Sequence, residues 1–304
     1  MDILVGSLVA GLLIGLVFAL IALGLTIIFG MMDIVNFAHG EFLMLGMYTT
    51  VFASQGFGID PLLTIPIAGA VGMALGIVCY AGFVRFLLRG PMVAQLLGTF
   101  GLMLLLRNAA LLAFGSEDRT IFSGVLVNRV FDLGMGIIFP ATKLAAAILS
   151  IVSFAAVWLF MNRTRIGKAM LATALNAQGA RYMGIPTERM NALAWGIGAA
   201  TVCIAGSLLV NFWSVTPFSG LLFCMIAFAT VALGGFGSVP GAMVAGIIIG
   251  MMTEIPGFWD FFTMVTGSRW MSDISLNPFK YTFIYLAYFL IMLVRPRGLF
   301  GWKR

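Results

Sequence analysis

The sequence predicts an all-α integral membrane protein, a polytopic bundle of about nine transmembrane helices (roughly eight to ten). Three observations carry this expectation. Of the 304 residues, 62% are hydrophobic. Only 9% are charged, against about 25% in a typical soluble domain. Windows of about 20 mostly apolar residues, long enough to cross a bilayer as a helix, recur along the whole chain.

Those windows fall at 3–29, 37–53, 62–86, 92–114, 144–160, 190–212, 221–235, 239–255 and 281–294. They are long and apolar on all sides, which excludes the alternating short strands of a membrane barrel. The first is too long for a cleaved leader and lacks a small-residue cleavage site, so it reads as an anchor. Connections between windows are mostly short, so residues 1–304 read as a single transmembrane domain.

Loop charge sets the expected orientation. Arg85 and Arg89, the stretch 163–189, and Arg295, Arg297, Lys303 and Arg304 carry the positive charge. The alternate connections carry acids: Asp60, then Glu117 and Asp118, then Glu254, Asp260 and Asp273. Basic loops stay in the cytoplasm, which places the N-terminus outside and the C-terminus inside. The net charge of +6 is then a topology signal with affinity for anionic membrane lipid. It is not a nucleic-acid surface.

Between the first two windows lies the most informative stretch, Asn36-Phe37-Ala38-His39-Gly40-Glu41, with the only histidine of the chain. A carboxylate at mid-bilayer costs about 2.5–3.5 kcal/mol on insertion scales, so Glu41 needs a pathway, a helix end or a partner. Asn36 is placed to cap the second span through its side-chain oxygen, with Glu41 one turn later in the positive end of the helix dipole. Two roles stay open: a polar helix start at the inner interface, or an inner gate formed by His39 and Glu41.

Two connections on the acidic side are long. Segment 115–142 mixes charges with glycines, and 256–280 carries Phe258, Trp259, Phe261, Phe262 and Trp270. Aromatics of this kind favour a membrane interface, so 256–280 reads either as a surface helix or as a docking face for an external partner. On the basic side, 162–189 is rich in small helix formers and closes with Gly184 and Pro186, a helix stop. It predicts a short helix or helix pair, either lying on the membrane or acting as a lever for a cytoplasmic partner. The run Gly234-Gly235-Phe236-Gly237-Ser238-Val239-Pro240-Gly241 breaks the helix between two windows. Such breaks are tolerated only in protein or against a watery cavity.

Several chemistries are missing. Gly167-Lys168 is followed by Ala169, and position 162 is Asn162, so the phosphate-binding G-x-x-x-x-G-K-[ST] loop is not formed. Ser238 lacks the full G-x-S-x-G elbow. Cys79, Cys203 and Cys224 all lie in windows, and one histidine cannot build a metal-ligand cluster. The sequence therefore predicts a non-enzymatic chain. Ion-coupled transport stays open, although only Glu41 and Arg107 sit near the apolar zone and such transporters bury several ionisable groups.

Further stretches complete a pattern. Gly24-Leu25-Thr26-Ile27-Ile28-Phe29-Gly30, the Asn36–Glu41 insert followed by Phe42, and Gly46-Met47-Tyr48 are joined by Thr99-Phe100-Gly101 with Asn108 and Phe114-Gly115-Ser116. Arg163-Thr164-Arg165-Ile166-Gly167-Lys168-Ala169 runs on to Met183-Gly184-Ile185, and Leu233-Gly234-Gly235-Phe236-Gly237-Ser238-Val239-Pro240-Gly241-Ala242 comes last. In this order they resemble the inner-membrane permeases of ABC importers for branched-chain amino acids, the LivH type. The resemblance implies the ABC importer permease fold with broken helices, in a bacterial inner membrane. It implies a second related permease, a periplasmic substrate-binding protein, and two cytoplasmic ATP-binding subunits that hold ATP and Mg, leaving this chain without a cofactor. It makes 162–189 the coupling segment, with Gly167, Ala174, Ala180, Met183, Gly184 and Ile185 as candidates. It makes 115–142 and 256–280 periplasmic. Candidates for the translocation path or gate are Asn36, His39, Glu41, Thr99, Arg107, Gly237 and Gly241. The chain departs from the pattern at Leu175-Asn176, where an acid is usual, and at Arg107, where an uncharged polar residue is usual. Similar permeases serve urea, short amides and small carboxylates, so these stay open as cargo. A purely structural subunit beside an active partner also stays open.

Overall fold

The computed structural model describes residues 2–121, 124–127, 129–132, 138–266, 275–295 and 298–301. Asp273, Arg297, Lys303 and Arg304, used above for orientation, and Trp270 of the aromatic segment lie outside the described residues. The helices are α1 (Asp2–Met32), α2 (His39–Phe57), α3 (Ile65–Cys79), α4 (Arg85–Leu87), α5 (Met92–Phe114), α6 (Ala141–Arg163), α7 (Arg165–Leu175), α8 (Ala177–Tyr182) and α9 (Thr187–Leu209). After them come α10 (Ser219–Gly234), α11 (Val239–Thr253), α12 (Ile255–Thr266) and α13 (Lys280–Val294). A 3-10 turn, Pro61–Thr64, leads into α3, and a π-helical turn, Tyr80–Val84, joins α3 to α4.

By length and composition, six of these stretches can cross a membrane: Leu4–Met32, Pro61–Leu87, Met92–Phe114, Ala141–Arg163, Thr187–Leu209 and Asn277–Val294. A pair bent by 48°, α11 with α12, would make a seventh. All nine predicted windows fall on helices, but they are not nine equivalent spans. Helix α2 opens on His39 and Glu41 and carries Thr49, Thr50, Ser54 and Gln55. Helix α10 has 16 residues, about 24 Å at 1.5 Å per residue, short of a hydrocarbon core about 30 Å thick. The acidic-side segment 115–142 also differs from expectation. It holds a two-stranded antiparallel pair, β1 (Val130–Asp132) with β2 (Ile138–Pro140), which lies just before α6.

Helices α1 and α9 run through the middle, and most of their residues are buried. Helix α1 packs along α11 and α9, and α9 packs along α2 and α3. Small residues permit these contacts. A Cβ on Gly15 would strike the backbone of Ile247, and one on Gly246 the backbone of Ala19. Because lipid tails are as apolar as leucine, such close packing, rather than hydrophobic exclusion, holds membrane helices together. Helices α3, α5, α6 and α13 present apolar side chains outward.

The basic loops gather at one end. Helix α7 touches α1 there, and Gly237, in the α10–α11 break, lies against Gly30 near the end of α1. The C-terminal stretch returns to the same break. Leu299 N–H donates to the Leu233 carbonyl at 2.8 Å and Phe300 N–H to the Gly234 carbonyl at 3.1 Å. Two carbonyls that would otherwise be orphaned at the end of α10 are satisfied in this way. Gly235 (φ 99) and Gly237 (φ 77) make the turn, a conformation glycine takes without penalty. Ser238 then caps α11 by accepting from Gly241 N–H at 3.1 Å.

Candidate functional site

The chain turns back sharply after α1. Asp33, in the left-handed region at φ 51, ends the helix, and its N–H donates to the Phe29 carbonyl at 2.8 Å. Residues 34–38 then run back into the bundle. His39, the first residue of α2, is fully buried, and its Nε2–H donates to the Ile21 carbonyl at 2.9 Å. Ile21 lies eleven residues before the end of α1, about 16 Å back along its axis. Helix α2 therefore starts deep inside the protein. His39 and Glu41 are 0% and 1% exposed, so neither faces solvent at the start of α2.

Asn36 is not the helix cap. Position 38 is the N-cap and has no side-chain cap bond. The Asn36 side-chain oxygen instead accepts from Ala38 N–H at 3.0 Å, and its carbonyl accepts from His39 N–H at 3.3 Å. Asn36 shapes the turn that feeds the helix.

Helix α10 begins at the same place. A Cβ on Gly40 would collide with the Gly220 carbonyl oxygen, and one on Gly220 would lie 2.7 Å from the Gly40 carbonyl and 3.0 Å from Glu41 Oε2. Two helix N-termini thus meet, each with its positive dipole end, and the Glu41 carboxylate sits in the first turn of α2. Arg107 of α5 reaches in from the opposite side. Its Nη2–H donates to Glu41 Oε1 at 2.5 Å, with the two side chains 13% and 1% exposed. The arginine does not snorkel outward, as a lone cation on a span would; it points at the one carboxylate it can neutralise. Thr99, a further two turns back along α5, is buried and donates from Oγ1 to the Val35 carbonyl at 3.0 Å or to its own-helix Leu96 carbonyl at 3.1 Å.

Aromatic rings close the α2–α5 seam on both sides of the ion pair. On the basic-end side Phe37 meets Phe100 and Phe228, with centroids 6.3 and 5.5 Å apart. On the other, Phe114 meets Tyr48 at 4.4 Å and Phe52 at 4.9 Å, and the Arg119 guanidinium lies 5.1 Å over Phe52. Five of the candidates, Asn36, His39, Glu41, Thr99 and Arg107, thus surround the start of α2. Gly237 and Gly241 do not belong there. They lie at the far end of α10, about 20 Å away by helix length.

Sequence reasoning did not single out Gly220, and it gave Tyr48, Phe100 and Phe114 a place in the family pattern but no site role. Their spacing held a signal. Glu41 and Tyr48 are seven apart, as are Phe100, Arg107 and Phe114, so each set lies on one face of its helix. Nothing in the sequence says that these two faces meet.

Of the coupling candidates, Gly167 and Ala174 lie on α7, Ala180 on α8, and Met183, Gly184 and Ile185 in the turn that follows it. Thr164 caps α7 by accepting from Gly167 N–H at 3.0 Å, and a Cβ on Gly167 would strike the α6 backbone. Gly184, at φ 78, closes α8, and Ile185 N–H returns to the Ala180 carbonyl at 3.0 Å. Leu175, Tyr182 and Met183 are strongly exposed, at 75%, 80% and 83%. Ala174 is half-buried and Ala180 is buried, so Ala180 belongs to the packing beneath the segment and not to its outer face. Among the described residues no cluster of three or more His, Cys, Asp or Glu side chains is placed to hold a metal ion. The thiols of Cys203 and Cys224 donate to the Phe42 and Phe37 carbonyls.

The fold is a helical bundle with several membrane-spanning candidates, in which interrupted helices meet at a buried ion pair. Residues 7–294 match the family described as "Branched-chain amino acid transport system / permease component", and the chain belongs to that family. It is similar to the high-affinity branched-chain amino acid transport system permease protein LivH of Escherichia coli (strain K12), 32% identical over 96% of this chain and 93% of the relative. LivH of Salmonella typhimurium is 31% identical over the same shares. The corresponding protein BraD of Pseudomonas aeruginosa is 29% identical over 97% of this chain and 95% of its own. A solved structure, PsaBC from Streptococcus pneumoniae in complex with Fab, covers 95% of this chain and 91% of its own at 12% identity, with a TM-score of 0.48.

Proposed function

We propose that this chain forms half of the transmembrane path of an ATP-driven importer and carries branched-chain amino acids across a bacterial inner membrane. The observation that carries the reading is the meeting of α2 and α10 at the Glu41–Arg107 pair. Interrupted helices that expose backbone ends near the bilayer midplane are how transport proteins build a polar station in hydrocarbon. Family membership supports the rest. A second permease completes the path, a periplasmic binding protein delivers the cargo, and two cytoplasmic ATPases supply the energy. In this reading α2, α10 and α11 complete nine crossings, with the N-terminus outside. The return of residues 298–301 to the α10–α11 break, at the end where α7 and the basic loops lie, supports a cytoplasmic C-terminus.

The exposed apolar tip of α7 and α8 is the surface offered to an ATPase. Met183→Asp is expected to leave the melting temperature of the purified permease unchanged, since exposed substitutions usually stay within about 0.5 kcal/mol. It should lower ATP-driven uptake severalfold. Ala180→Leu, by contrast, overpacks a buried site and should destabilise by about 1–3 kcal/mol. Unaltered uptake with Met183→Asp would remove the tip from the coupling path. The function itself is tested by ATP-dependent accumulation of leucine, isoleucine and valine in vesicles holding the whole importer, beside urea and a short amide as alternative cargo.

A further inference from the structure

We infer that Glu41 and Arg107 form a recognition site for the zwitterionic α-amino acid head group, with Arg107 taking the carboxylate and Glu41 the ammonium. This deepens the proposal above and rests on amino acids being the cargo.

Two ion pairs join described residues to one another. Lys280–Glu254 sits at the rim, its side chains 35% and 23% exposed, at 3.8 Å. Glu41–Arg107 is interior. A structural strut in that setting would saturate its hydrogen bonds, because each unmade bond in a dry interior is a standing loss. This pair does not. Arginine commonly grips a carboxylate through two parallel N–H groups, whereas here one Nη2 meets one oxygen end-on. Glu41 Oε2 and Arg107 Nε are both buried and have no partner, and the hydroxyl of Tyr48, two turns along α2 from Glu41, is buried and unpartnered as well. The unused acceptor is an anionic oxygen, which suits an ammonium. The unused donor belongs to a guanidinium, which suits a carboxylate.

The pair also fits the problem of moving a zwitterion through hydrocarbon. Before the cargo arrives, each charge neutralises the other, so neither stands alone in a low-dielectric interior. An amino acid entering between them exchanges one ion pair for two and leaves no charge unmatched at any stage. Its apolar side chain would meet the aromatic groups that flank the pair, Tyr48 with Phe114 or Phe37 with Phe100. Urea and neutral amides carry no charge with which to part the two groups, so the site selects against them.

The test uses the intact importer in proteoliposomes with ATP inside, radiolabelled leucine as probe, and assembly of the complex measured in parallel. Arg107→Gln leaves Glu41 without its counter-charge and should lose leucine uptake at least tenfold. The neutral pair Glu41→Gln with Arg107→Gln removes both charges and leaves no lone carboxylate in the interior, so it controls for the cost of an unpaired buried charge. It should assemble and show the same loss. The exchanged pair, Glu41→Arg with Arg107→Glu, restores the ionic link but presents the charges in reverse order, and should stay at least tenfold below the native chain. Native uptake by an assembled neutral or exchanged pair would make Glu41–Arg107 a strut and overturn the inference while leaving the importer reading intact. A native importer that accumulates no amino acid at all would overturn both.

Discussion

Gly40→Ala is expected to abolish accumulation of folded permease in the membrane, while Gly101→Ala leaves it at native levels. One methyl group separates each variant from the native chain, so the contrast isolates position. At Gly40 the added Cβ would overlap the Gly220 carbonyl oxygen and carbon and lie 2.7 Å from the Cys224 Cβ. These are mostly backbone atoms, with no rotamer to swing aside. Neither helix is free to retreat. His39 is bonded to Ile21 in α1, Gly46 is pressed against the Cys203 backbone, and a Cβ on Gly206 would strike the Leu43 carbonyl. Overpacking a core typically costs about 1–3 kcal/mol, and rigid neighbours push the value to the upper end or beyond. At Gly101 nothing lies within 4 Å of the new atom, and alanine in a helix gains roughly 0.5–1 kcal/mol over glycine. Detergent extracts resolved by size and melted by temperature would show the difference. Equal behaviour of the two variants would mean that the starts of α2 and α10 do not touch.

The second large effect is energetic rather than steric. Arg107→Leu leaves the Glu41 carboxylate buried without its counter-charge, and breaking one side of a buried pair costs about 3–5 kcal/mol. Replacing both, Glu41→Leu with Arg107→Leu, removes the lone charge and should recover most of that loss, since apolar pairs of similar volume are often as stable as the ions they replace. A double-mutant cycle on melting of the purified complex reads the coupling directly. The recovered double variant should remain inactive in transport. Additive losses would show that the two side chains do not interact.

How much of this was legible in the sequence differs by level. Helix positions were readable because hydrophobic length alone determines them, and the Gly234–Gly241 break and the Gly184 stop were readable because glycine marks left-handed turns. Depth and facing were not. A helix that is apolar all round gives no amphipathic face from which to infer its neighbours, so Arg107 could equally have pointed to lipid, to the interface or inward. The early start of α2 was hidden for the same reason: Asn36 looks like a cap at a membrane surface, and only the bond from His39 to Ile21 places that turn about 16 Å inside. The strand pair Val130–Asp132 with Ile138–Pro140 was overlooked because three-residue strands leave almost no periodic signal.

Leucine uptake by proteoliposomes tests most directly whether this chain is a conduit driven by nucleotide turnover in another subunit. Vesicles holding the importer with its binding protein should concentrate leucine when ATP is enclosed and fail to do so with ADP. Vesicles holding this chain alone should accumulate none under an imposed proton or sodium gradient. Concentration of leucine by the isolated chain under such a gradient would contradict it.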